Sequence, residues 1–167
     1  AEVNNKNAAS PEVEITRTIL AASALSSGLI LANQKDNQVA SLTLTNQASE
    51  GIRLNKIILN SAGQVGNFST NNGFTNLRAV YENDSGRVVS VGSRTSRPVA
   101  DVNEINLNGF TLKPEQSLTF SIYIDAGETA AGPIRLFIQD IQAKGQLSGA
   151  NATLSGIPTQ AVEVAVN

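Results

Sequence analysis

The sequence predicts an all-β fold, a sandwich of about eight or nine short strands. Three observations carry this: apolar residues recur at every second position, Gly, Asn, Ser and Pro clusters interrupt them at short intervals, and no stretch sustains a helical apolar stripe. A chain of 167 residues without cysteine is long enough to bury a core unaided by disulfides.

Residues 1–11 read as a polar N-terminal arm ended by Pro11, and residues 12–167 as a single β-sandwich domain. In Glu12 to Ala22, Val13 and Ile15 alternate with Glu14 and Thr16, which predicts a strand. Ser26-Ser27-Gly28 predicts a turn. Asn37 to Asn46 sets Val39, Leu42 and Leu44 against Ser41, Thr43 and Thr45, with a slip at Ala40 that marks a bulge. Ile52 to Asn60 is the next strand. Within it Lys56 shares parity with Ile52, Leu54 and Ile58, so it is a candidate for a Lys–Asn cross-link, but the cost of burying a lone ammonium favours an edge position or a bulge that turns it to solvent. Asn60 to Asn76, rich in Gly and Asn, predicts an exposed loop.

Leu77 to Tyr81 and Arg87 to Val91 flank Glu82-Asn83-Asp84-Ser85-Gly86, the chemistry of a hairpin turn. Val102 to Leu107 precedes Asn108-Gly109, a strong turn signal. Thr119 to Asp125 alternates Phe120, Ile122 and Ile124 with Ser121 and Tyr123. Ile134 to Ala143 forms a strand after Gly132-Pro133, and Val162, Val164 and Val166 share one face of a closing strand. Phe120 and Phe137 fall on apolar faces and are assigned to the core.

The composition excludes most chemistries. With no His and no Cys, Ser-His-Asp and Cys-His arrangements and Cys/His zinc sites are absent, and no Ser-x-x-Lys, G-x-S-x-G or phosphate-binding loop occurs. Paired carboxylates remain for glycoside hydrolysis, but 4% aromatic content with no Trp offers little sugar platform. The expectation is a non-enzyme without a cofactor. Glu82/Asp84, Asp101/Glu104 and Asp125/Glu128 are calcium candidates in turns, weighed against the ordinary preference of acids for turns; no EF-hand spacing occurs, and no metal site is assigned. Tyr81, Phe110 and Tyr123 are the candidate sugar contacts. Asn67, Asn83 and Asn151 open glycosylation sequons. A net charge of −2 gives no field for nucleic acid, and no apolar run approaches the ~20 residues of a membrane span. Ala1 followed by polar residues matches what remains after signal-peptide removal, set against a cleaved tag as the alternative, and the favoured reading implies a secreted or cell-surface location.

The order VASLTLTNQ, IRLNKIILN, TNLRAVYENDSGRVV, GFTLKPEQSLTFSIYIDAG and IRLFIQDIQAKGQLSGA resembles the Ig-like β-sandwich domains of prokaryotic cell-surface, S-layer-like and pilus or filament proteins, over roughly residues 20–150. The resemblance implies an Ig-like antiparallel sandwich with an extracellular structural role and no active site. The residues themselves suggest how such a block joins others. A sandwich has open edges, and an extended segment can add a strand to one. The candidate donors are Val13, Ile15 and Ile19 at one end and Val162, Val164 and Val166 at the other. The expected function is a subunit of an extracellular filament or surface layer, assembled head-to-tail with copies of itself by donor-strand or edge-strand pairing. The alternative is a non-catalytic adhesin module that binds glycans or a host surface.

Overall fold

In the computed structural model, which describes residues 19–61 and 66–167, twelve strands follow one another: β1 (Ile19–Ala22), β2 (Ser26–Ser27), β3 (Leu29–Ile30), β4 (Gln34–Asn46), β5 (Ile52–Asn60), β6 (Phe74–Glu82), β7 (Val88–Thr95), β8 (Val102–Leu112), β9 (Ser117–Ala126), β10 (Ile134–Gly145), β11 (Thr153–Ser155) and β12 (Val162–Val166). The only helical element among the described residues is a 3-10 turn at Thr70–Asn72. The all-β expectation holds.

Hydrogen bonding links the strands in the order β11-β1-β4-β9-β6-β7-β8-β5-β10-β12-β3, with β2 on β4. Two layers result. One is built on β4, β9, β6 and β7, the other on β8, β5 and β10. Alternation explains the core between them. Leu42 and Leu44 of β4, Leu54 and Ile57 of β5, Phe120, Ile122 and Ile124 of β9 and Leu136 and Ile138 of β10 are all almost fully buried. Each such side chain contributes roughly 1.5–3 kcal/mol by leaving water.

The short strands belong to two interrupted runs. Residues 19–30 pair with β4 through β1 and β2, then cross to the other layer, where β3 pairs with β12. Residues 153–166 begin beside β1 as β11, pass Thr159 against Ile138, and end beside β10 as β12. Both runs point the same way, so β1–β11 and β3–β12 are parallel pairs. The expected antiparallel sandwich is corrected at these two seams. With seven long strands and two runs, nine strand paths lie within the expected number.

Several local expectations meet their structure. The pairing of β4 with β9 shifts register between Gln38 and Ala40, the predicted bulge. Val80 and Ser90 pair across the predicted hairpin. A register shift between Leu54 and Lys56 turns the lysine outward, where its Nζ lies 2.7 Å from Glu104 Oε1.

Others are corrected. Ser26-Ser27 is no turn; it pairs with β4 because the run needs main-chain partners before it crosses layers. The expected exposed loop 60–76 has Phe68 and Phe74 fully buried and packed edge-to-face at 5.5 Å. Asn108-Gly109 does not end a strand. Both residues take left-handed φ, 52° and 71°, and kink β8 without interrupting it. Phe137 lies opposite Asn60 on β10's outer face and is only half-buried, because its neighbours Leu136 and Ile138 take the core side.

Candidate subunit interface

Following strand direction around the two layers places the termini of the described chain. β1 runs antiparallel to β4, so Ile19 lies at the pole where β4 ends; the Gln47 N–H donates to the Ile19 carbonyl. β12 runs the same way as β1 and ends at the other pole, where Asn167 donates to Ile30 and Ala32 donates to Asn167. The chain thus enters the sandwich at one pole and leaves it at the other.

The candidate donor residues are placed as follows. Val13 and Ile15 lie outside the described residues. Ile19 opens β1, half-buried, in register with Thr153 of β11. Val162, Val164 and Val166 occupy β12 between β10 and β3 of the same chain, with Val164 fully buried opposite Ile134 and the other two half-buried. β12 is therefore part of its own sandwich here, and its side chains complete the local core.

The charged groups that sequence reading left unassigned serve the scaffold. Asp125 of β9 sits between two bulges, one on β4 between Gln34 and Asn37 and one on β6 between Thr75 and Arg78. Asp36 and Asn76, in those bulges, have φ of 58° and 57°. Asp125 accepts the Asp36 N–H at 2.9 Å and the Asn76 side-chain amide at 2.9 Å, and Arg78 Nη1 lies 3.3 Å from it. The same guanidinium pairs with the Asp36 carboxylate and lies over the Tyr123 ring, 5.7 Å from its centroid. Burial pushes the Asp125 carboxyl up, but the Asp36 N–H, Asn76 and Arg78 together outweigh it and hold the group below its ordinary value. At the Ile19 pole, the buried carboxylate of Glu50 accepts the Leu147 and Ser148 N–H groups and the Ser148 hydroxyl, fixing the loop after β10.

Among the described residues no three carboxylates gather into a metal-binding group, and no helix is long and apolar enough to cross a membrane. The candidate sugar contacts do not form an outward platform. Tyr81 and Phe110 stack edge-to-face at 5.3 Å, Phe110 meets Phe120 at 5.7 Å, and Tyr123 lies under Arg78. Asn83 Oδ1 accepts three donors from Ser85 and Arg87 and shapes the hairpin turn. Asn67 Oδ1 accepts the Ser69 N–H and is half-buried, whereas Asn151 is exposed.

No signal in the sequence announced the Asp125–Arg78 site, since its members come from three strands far apart in the chain.

No protein-family model matches the chain, and no curated protein matches it. Among solved structures it is similar to a non-cellulosomal cohesin from the hyperthermophilic archaeon Archaeoglobus fulgidus, at 15% identity over 90% of this chain and 91% of that chain, with a TM-score of 0.35. At that TM-score the likeness carries no argument about fold or function.

Proposed function

We propose that this chain is a structural block of an extracellular filament or layer that joins copies of itself through the segment preceding β1. The observation that supports it best is the position of Ile19 at a pole, where β1 opens beside the end of β4, so that the chain before it adjoins the sandwich at an end. The buried charges support it too, because Arg78, Asp125 and Glu50 are spent on bulges and a loop rather than aimed into a cleft. Residues 12–18 alternate Val13 and Ile15 with Glu12, Glu14 and Thr16, the pattern of a strand with one apolar face. Laid against a neighbour, such a segment gains main-chain hydrogen bonds and buries its apolar face. A contact between different surfaces of two copies does not close on itself and propagates.

Sedimentation velocity of the full chain and of a variant lacking residues 1–16 tests the reading. The full chain forms concentration-dependent species larger than one copy, and the variant stays a folded monomer. Two monomers at high concentration, or equal assembly of both, overturn it.

A further inference from the structure

The two layers part company between β7 and β8. These strands pair at a single point, Ser93 with Asn106. Gly92 brings them together there: at φ 68°, it sits so close to β8 that an added Cβ would lie 1.9 Å from the Asn106 carbonyl oxygen. Immediately beyond, the left-handed Asn108 and Gly109 kink β8, which stays paired with β5. From there to the Ile19 pole, no described strand pairs with residues 88–92 on the side away from β6, or with residues 107–112 on the side away from β5.

The core shows through this opening. Tyr81, Phe110 and Leu118 pack against the core yet are only half-buried, Val89 opposite Tyr81 is half-buried too, and Val88 at the rim is 60% exposed. The opposite long side is closed by the two runs, so this cleft is where the sandwich lacks a strand among the described residues. Arg87 and Arg94 on the β7 side and Arg53, which lies over Gly109, are exposed and form no ion pair with another described residue.

We propose that the cleft between β7 and β8 receives residues 12–18 of a second copy as an added strand, with Val13 and Ile15 against Tyr81 and Phe110. This rests on the building-block reading and names its acceptor. The length fits: the unpaired walls run five residues on β7 and six on β8, about 17–20 Å of strand, and the seven residues 12–18 are long enough to cover them. The chemistry fits on both faces. Val13 and Ile15 share the face that meets the half-buried aromatics, and Glu12 and Glu14, on the other, share the outer face with Arg53 and Arg87 at the cleft's two walls. The location fits as well. Ile19, which the segment precedes, lies at the β1 side of its pole, whereas the cleft opens on the opposite long side. Donor and acceptor are therefore different surfaces, and each copy can use both.

The absence of native cysteine makes the test clean. Ile15→Cys and Val89→Cys variants of the full chain are purified separately, mixed, oxidised and run without reductant. A two-copy product in the mixture, absent from either variant alone, is expected, because cross-strand neighbours lie within disulfide reach. Val88→Cys, an exposed position, replaces Val89→Cys if that variant misfolds. Failure of both β7 cysteines to link to Ile15→Cys, while the unmodified chain still assembles in the ultracentrifuge, overturns the cleft as acceptor and leaves the building-block reading standing. A double variant that links only within one copy overturns the second copy as donor. Absence of any assembly overturns both.

Discussion

Arg78 and Asp125 meet inside the β4-β9-β6 sheet with side-chain exposures of only 7% and 10%, Nη1 to Oδ1 at 3.3 Å. The pair fastens the bulges of two strands to the strand between them. Removing the Asp125 carboxylate leaves the Asp36 N–H and the Asn76 side-chain amide without their acceptor, while Arg78 keeps the Asp36 carboxylate and the Asn76 carbonyl, a cost of about 1–3 kcal/mol. Asp125→Ala is therefore expected to lower the urea midpoint markedly. Lys56→Ala, which breaks an exposed pair with Glu104, costs no more than about 1 kcal/mol. Equal midpoints for the two variants would contradict the role given to Asp125.

The same carboxylate makes stability depend on acid. Its folded pKa lies below the unfolded value, so the unfolded state binds the proton more readily. Its contribution is fully present above the ordinary carboxylate range and is lost as pH falls through the lowered folded value. Urea titrations from neutral pH down into the acid range measure this, and Asp125→Asn is expected to flatten the acid limb of the profile.

Gly92 is required by its contact with β8. A methyl group there meets the Asn106 carbonyl, and the left-handed φ alone costs on the order of 1–3 kcal/mol for another residue. Gly92→Ala is expected to lower the melting temperature. Gly86→Ala shares a positive φ but has open space around its Cβ, and serves as the milder comparison.

Phe68 lies between the 3-10 turn and β5 in a stretch that reads as loop, yet it is fully buried against Phe74. Phe68→Ala is expected to destabilise by about 3–5 kcal/mol, as a core truncation does. Calorimetry checks this; a change below about 1 kcal/mol would place the residue at the surface.

Where the sequence could be read, one strand's own alternation was enough. Val39, Leu42 and Leu44 declare their face, and the slip at Ala40 shows as a register shift. The Glu82 to Gly86 turn carries its geometry in Asn83 and Gly86. What stayed hidden depends on partners distant in the chain. Asn108-Gly109 has the composition of a turn, but pairing of its flanks with β5 carries the strand through the kink. Phe137 has the character of a core residue, and only the frame set by Leu136 and Ile138 turns it outward. The parallel seams follow from runs that switch layers, which local periodicity does not encode. The candidate donor Val162–Val166 was legible as a strand, but its place beside β10 was not. The half-open cleft at Tyr81 and Phe110 was legible only as two aromatics of unassigned face.

The most direct test of the central claim is negative-stain electron microscopy of the full chain and of the chain lacking residues 1–16, at matched and rising concentration. Residues 12–18 reaching a second copy predict strings of particles for the full chain and isolated particles for the shortened one. Isolated particles in both preparations, or strings in both, would contradict it.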